Sequence, residues 1–507
     1  MDANGNSSVT LDPIVSNVEN FYFLAADSDA SDTNTLTAEM KDVTSVEQVW
    51  ADRMQANLTA DNVENAAVAG VINGGKNGNS SPVTGQPYTF TMNYQDDALD
   101  DADYTQAVAL DNANAQLAVE ANNTSGPDDT ITGLELDLTG DNKVVLAGTD
   151  LNAAALTTVT TTGSGSIDLD MTSNAAANHD ITLGDGDDTL RIDGTNLDAQ
   201  DAIDLGAGEN ALLLGSIADE SNLNALTLDG VSNYQALGFT DDLAIGGGSA
   251  GTDANLDIGS LDELTFEGAV DANASGSAGL NVTTAASELT INTEGAVGGT
   301  AAPNLSVSEG VSSLVLNAED AVTLDDVSNE ATPDNDTLES LTLNDVSEDG
   351  DVAYDVDLGV GEDVAGLSTI VLDGQAETNY TINAAAANFG SEVTIQLNDA
   401  GIDGVGSTDA LDYSNATNTV RETFQFTGEN IGDVTIGSFD VGESGGADRL
   451  DFSQFEGVDS LQDVAVTLSG GGSNVEITAT ADQFDGTIEL TGVDNVTAVE
   501  DNAFDFA

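Results

Sequence analysis

Leu338-Glu339-Ser340-Leu341-Thr342-Leu343-Asn344-Asp345 places an apolar residue three positions ahead of a short alternating segment and closes on two turn-forming residues. The alternation Leu341-Thr342-Leu343 has the period of a strand with one apolar and one polar face. The skeleton recurs at Ile258, Leu261, Leu264 and Phe266, at Val311, Leu314 and Leu316, and at Leu367, Ile370 and Leu372. It is also present at Val231, Tyr234, Leu237 and Phe239, and Val43, Val46, Val49 and Ala51 repeat the spacing of Val15 to Phe23. With Leu264, Leu289, Leu314, Leu341, Ile370 and Val393 taken as equivalent, the pattern returns every ~23–29 residues, which is a solenoid period. In such a stack each turn of chain buries its apolar row on the next. The reading is an all-β, parallel β-solenoid or β-helix-like stack of rungs built on that repeat.

Leu338 to Leu343 also fits the leucine-rich pattern L-x-x-L-x-L, but Val346 stands where that repeat needs Asn or Cys for its inner turn, so the solenoid is preferred. Four regions follow from changes of texture: N-terminal β rungs over 1–69, an insertion or small β-domain over 70–125, a central β-solenoid over 126–420 and a C-terminal β-domain over 421–507. Residues 240–256 and 296–304 are rich in Gly, Ala and Ser and read as loops. Thr35 to Met54 and Ala384 to Ala387 are the best candidates for short helical turns.

The 507 residues include 91 acidic and 7 basic side chains, a formal charge of −84. A field of that sign excludes nucleic acid and anionic lipid, which need clustered Lys and Arg. The chain is still expected to fold, because 40% of its residues are apolar and fall in short aliphatic runs. There is no cysteine, hence neither disulfide nor thiolate metal site. The N-terminal stretch shows no basic and apolar signal-peptide pattern, and no segment approaches the roughly 18 apolar residues of a transmembrane helix. Export, if it occurs, is expected by a route other than Sec.

One stretch breaks the aliphatic rhythm: Leu183-Gly184-Asp185-Gly186-Asp187-Asp188-Thr189-Leu190, echoed further on by Leu205-Gly206-Ala207-Gly208-Glu209-Asn210-Ala211-Leu212. Glycine admits tight turns that present carbonyl oxygens, and Asp188 or Asn210 adds a side-chain oxygen, a donor set that suits Ca²⁺. Gly184, Gly186, Asp188 and Leu190 resemble the nonapeptide G-G-x-G-x-D-x-U-x of RTX proteins, although Leu183 replaces the first glycine, Asn210 replaces the aspartate in the second copy, and the strict nonapeptide tandem is missing. The resemblance implies one or a few Ca²⁺ sites, with Asp185, Asp187 and Asp188 as first ligands. The alternative is a Gly-Asp turn without metal.

From Phe424 the chain changes again, leading to Gly445-Gly446-Ala447-Asp448-Arg449-Leu450-Asp451-Phe452-Ser453. Asp448 and Asp451 flank Leu450 and are read as two carboxylates near one cation. This block resembles the C-terminal region of proteins exported by type I systems, with Phe504, Asp505 and Phe506 as the closing tail. Taken with the rungs, the whole chain is similar to Ca²⁺-dependent surface-layer (S-layer) proteins of Gram-negative bacteria. That similarity implies an extracellular, cell-surface protein that self-assembles into a lattice with Ca²⁺ ordering its subunits. No N-terminal lipopolysaccharide-anchoring region is recognised, which leaves lipopolysaccharide an open partner.

Catalysis is not expected. The single histidine, His179, reads as an exposed turn residue, and the seven cations, Lys41, Arg53, Lys76, Lys143, Arg191, Arg421 and Arg449, are scattered singly. Arg191 and Arg449 lie just beyond the two proposed Ca²⁺ turns, where a local ion pair is the ordinary explanation. The expected function is a structural, non-enzymatic S-layer protein. The alternatives are a secreted adhesin or matrix-filament subunit and, third, a β-helical carbohydrate-active enzyme.

Overall fold

The computed structural model describes residues 8–25, 34–74, 76–77, 81–82, 87–96, 98–99, 103–121, 130–246, 253–272, 279–299, 303–324, 326–329, 337–347, 352–358, 365–374, 378–384, 389, 392–398, 410–414, 421–428, 432–441, 447–455, 458–469, 471–480 and 486–506. Over these the chain is a parallel β-solenoid, divided into two compact units, Met1–Ser216 with Ala225–Ala236 and Ile217–Asn224 with Leu237–Ala507.

In the first unit each rung sends one strand to each of two main sheets. One sheet runs from Val9–Leu11 through Thr35–Glu39, Asn57–Val63, Thr89–Tyr94, Asn114–Ala121, Asp141–Ala147, Ser166–Met171 and Thr189–Asp193 to Ala211–Gly215. The other runs from Asn20–Phe23 through Gln48–Asp52, Val68–Ile72, Tyr104–Asp111, Ile131–Thr139, Thr158–Gly163, Asp180–Thr182 and Ala202–Asp204 to Val231–Ser232. Thr89–Tyr94, Tyr104–Asp111 and Asn114–Ala121, all within 70–125, thus take ordinary places in these ladders. Parallel pairing in register turns alternate apolar residues into straight columns, such as Ala115, Val144, Leu169, Leu190 and Leu212, all buried. Each buried Val or Leu in such a column contributes about 1.5–3 kcal/mol.

The second unit adds a third sheet, with Ala254–Asp257, Gly279–Thr283, Asn304–Val307 and Asp326–Asn329 stacked in parallel. One long column through this unit is Leu289, Leu314, Leu341, Ile370, Ile395, Phe424, Leu450 and Phe504, buried in every member but the last. On the outward face Asn292, Asn317 and Asn344 form an amide ladder, in which the Nδ2 of Asn317 and of Asn344 donates to the Oδ1 of the rung before at 2.8 and 2.9 Å. The unit ends on an antiparallel hairpin, Val464–Ser469 with Asn474–Ala479, and a helix, Val496–Asn502, whose first turn is capped by Asn495. Beside them Phe452 packs on Phe426, Phe455, Phe504 and Phe506.

The register corrects two of the expected equivalences: Leu264 pairs with Ile291 instead of Leu289, and Ile370 pairs with Ile395 instead of Val393. A slip by two positions keeps the same face of a strand inward, so hydrophobic pattern alone does not fix it. Three local expectations are also corrected. Thr35 to Met54 forms strands (Thr35–Glu39, Val43–Thr44, Gln48–Asp52), because its inward residues fall at alternate places and its segments pair with neighbouring rungs. The region 240–256 contains Leu243–Ile245 and part of Ala254–Asp257, and 296–304 contains Val297–Gly299, since short Gly- and Ala-rich segments are held as strands by adjacent rungs. Ala385 to Ala387 lie outside the described residues, while Ala384 is buried and non-helical. Among the described residues no helix is long and apolar enough to cross a membrane.

Candidate metal centre

The glycine turns are stacked one above another. Register places Gly140, Gly165, Gly186 and Gly208 in one column at the corner that precedes a strand. Here backbone meets backbone, and a Cβ at Gly206 would lie 1.9 Å from the Gly184 carbonyl oxygen, at a φ of +80°. At Gly208, with φ +120°, it would lie 2.3 Å from the Gly186 oxygen. Glycine is required at both for close approach and for a left-handed backbone.

Beside this column runs a second one of polar side chains. Each accepts a backbone N–H from the rung before: Asn142 Oδ1 from Ala113 at 2.9 Å, Asp188 Oδ1 from Ile167 at 2.9 Å, Asn210 Oδ1 from Asp188 at 2.8 Å, and Gln235 Oε1 from Asn210 at 2.7 Å. In the second unit Asp448 has the same duty, with Oδ1 accepting from the Glu422 amide at 3.0 Å. Asp188, Asn210 and Asp448, singled out as metal ligands by pattern, therefore share one structural device, a buried cap at the entrance to a strand.

Their second atoms differ. Asn142 Nδ2 donates to the carbonyls of Thr139, Gly140 and Ser166, and Asn210 Nδ2 donates to those of Asn233 and Gly206. Asp448 Oδ2 accepts the Asp440 amide at 2.7 Å. Asp188 has an oxygen where Asn142 and Asn210 have an amide donor, and that Oδ2 is buried without a hydrogen-bond partner. Burial pushes the Asp188 carboxyl up to about 6, against the pull of the Ile167 and Gly184 amides and with a further push from Asp187. A buried carboxylate oxygen without a donor is stabilised by a proton or a cation beside it.

Asp185 and Asp187 are exposed beside this position, with Asp187 Oδ1 accepting the Glu209 amide at 2.9 Å. The turn offers a cation one buried carboxylate oxygen, Asp188 Oδ2, but it does not gather the carboxylates of Asp185 and Asp187 with it into one ligand group. Asp448 and Asp451 fit less well. Both oxygens of Asp448 face backbone N–H groups. Asp451 Oδ1 accepts from the Ser453 amide and Oδ2 from Gln425 Nε2. Burial alone would raise the Asp451 carboxyl, but the Ser453 hydroxyl and amide together with Gln425 reverse this and hold it below its ordinary value. Among the described residues no group of three or more acidic or histidine side chains is placed to hold one ion.

His179 is not exposed: it is buried, with its amide 2.7 Å and its ring Nδ1 3.0 Å from Asp201 Oδ1. Asp201 Oδ2 also accepts the Asp198 amide. His179 and Asp201 stand one rung apart, with the same sequence separation as Asp188 and Asn210, so the rung spacing carries the signal for this pair. The scattered cations make local pairs. Lys143 and Arg191 both meet Asp168, at 2.8 and 3.1 Å, and Arg449 lies 3.9 Å from Asp505. The apolar cavity among Phe266, Leu280, Ile291, Val297 and Leu305 has a volume of about 30 Å³, a small packing void. Comparison with protein-family models, with curated proteins and with solved structures finds no match.

Proposed function

We propose that this chain is a structural, non-enzymatic surface-layer protein, RTX-like and exported by a type I route, which self-assembles into a lattice on a bacterial cell when Ca²⁺ neutralises its carboxylates. The observation that carries the Ca²⁺ part is Asp188: a buried oxygen without a donor, in a column where Asn142 and Asn210 have their second atoms satisfied. Asp188 would hold the ion, with the exposed carboxylates of Asp185 and Asp187 closing on it only upon binding, and the bound ion would supply positive charge to the turn. The acidic composition supports the rest. With 91 acidic and 7 basic side chains, two copies repel unless cations collect between them. Ions that bind the folded or assembled state stabilise it by mass action.

The test is chelation with EGTA followed by calorimetry and electron microscopy. Ca²⁺ is expected to raise the melting temperature and to give ordered sheets, and EGTA to remove both. If neither melting nor assembly responds to the chelator, the reading is wrong. Fibres in place of sheets would favour the adhesin or filament alternative.

A further inference from the structure

Asn292, Asn317, Asn344, Asp373 and Asn398 occupy one outward column of the second unit, each directly opposite the next. The first three hydrogen-bond along it in a single direction. Asn292 Nδ2 donates to Glu263 Oε1 at 2.8 Å, and Asn317 and Asn344 each donate to the amide oxygen of the rung before. Further on the same direction resumes, with Thr427 Oγ1 donating to Asn398 Oδ1 at 2.9 Å. The donor that Asn344 Oδ1 needs should come from position 373, opposite it on the next strand, and the side chain there is a carboxylic acid. Asn344 Oδ1 is buried and has no hydrogen-bond partner.

Turning the amides around does not remove the conflict. Along a column each amide shows a donor to one side and an acceptor to the other. Three amides between the carboxylates of Glu263 and Asp373 therefore meet one of them oxygen to oxygen, whichever way they point. The two ends are not equivalent. Glu263 is exposed, so water can serve its carboxylate, whereas Asp373 is half-buried and burial pushes its carboxyl up from the ordinary value. No cation offsets this on the strands packed around it. Ser340–Asp345 brings Asp345, whose oxygens already accept from Ser347 and Thr378. Val393–Asn398 brings no titratable group, and Ala353–Asp357 and Asn379–Asn383 bring Tyr354 and Tyr380, whose hydroxyls donate to the carbonyls of Leu316, Asn344 and Leu343.

We propose that Asp373 is a proton-operated joint in this ladder: as a carboxylic acid it donates to Asn344 Oδ1 and the column runs unbroken, and as a carboxylate it opposes that oxygen and cuts the column between two rungs. The proton comes from solvent. Because the folded-state value is raised, the stabilisation is fully present below the ordinary carboxyl range and is lost as pH rises through the raised value. The joint lies in the second unit and depends neither on Ca²⁺ nor on the surface-layer reading.

The direct test is the side-chain carbonyl ¹³C signal of Asn344 in the full chain, labelled at asparagine, assigned by its loss in Asn344→Ala and followed in EGTA from about pH 7.5 to about pH 4. It should move downfield as pH falls in wild type and hold still in Asp373→Asn, whose amide can donate at every pH. Denaturant unfolding gives a second readout. At about pH 7.5 the unfolding equilibrium constant of Asp373→Asn should be about 3- to 10-fold below that of wild type, and the two should converge near pH 4. In an Asn344→Ala background, which lacks the acceptor, this advantage should shrink. A carbonyl signal indifferent to pH, one that still titrates in Asp373→Asn, or a stability advantage of the same size in both backgrounds overturns the inference.

Discussion

Asp188→Asn replaces a buried carboxylate by the side chain that its column neighbours Asn142 and Asn210 already carry. The amide removes the charge that burial disfavours while keeping an Oδ1 to accept the Ile167 amide. The folded-state value of Asp188 is raised from 3.8 to about 6. A raised carboxyl stabilises the fold while it is protonated, and that contribution is fully present below about pH 4 and lost as pH rises through about 6. A rise of that size corresponds to at most about 3 kcal/mol, and partial solvent screening at the turn reduces this to about 1–2 kcal/mol. Without Ca²⁺, Asp188→Asn should therefore melt above wild type at pH 7.5 by about 2–8 °C in the first unit's transition and match it near pH 4. The assay is calorimetry of both proteins in EGTA from pH 4 to 7.5. The rest of the −84 charge titrates in both, so the difference between them isolates Asp188. An Asp188→Asn protein that melts below wild type at pH 7.5, or a difference independent of pH, would refute the reasoning.

Two further predictions concern the rung corners. Gly206→Ala forces a Cβ against the Gly184 carbonyl at a left-handed φ, and should cost about 2–4 kcal/mol by denaturant titration, with Gly310→Ala, where no neighbouring atom is in reach of a Cβ, costing less. Asp201→Ala strips the acceptor from the buried amide of His179 and the half-buried amide of Asp198 and should cost about 2–4 kcal/mol, while Asp201→Asn, which keeps an acceptor oxygen, should lose about half of that.

Much of the fold is legible in the sequence because a solenoid writes its period into its apolar residues. Leu314, Leu341 and Ile370 are equivalent by pattern and pair in one column. What is not legible is what a second rung decides. Leu289 and Ile291 face the same way, so only the partner strand selects between them. Val297–Gly299 is a strand because of its neighbours, since two of its three residues are glycine, which has little strand preference. At the candidate centre, spacing finds Gly184, Gly186, Asp188 and Asn210 as one recurring unit, and the structure stacks them. Spacing does not separate a capping role from a ligand role, because both require an oxygen at the entrance to a strand. Asp448 and Asp188 look alike in sequence, and the difference between them is the amide of Asp440, supplied from the chain just upstream of Asp448. A lone histidine in an Ala- and Asn-rich stretch resembles a surface turn, yet His179 is drawn inside by Asp201, one rung on.

The most direct test of the central claim is a Ca²⁺ titration of thermal stability in wild type and Asp188→Asn, starting from metal-free protein at pH 7.5. Above the dissociation constant, each tenfold rise in free Ca²⁺ should stabilise wild type by about 1.4 kcal/mol per coupled site. The first unit's melting temperature should climb accordingly, while that of Asp188→Asn stays flat. Two flat curves, or two curves that climb together, would contradict a Ca²⁺ site at Asp188.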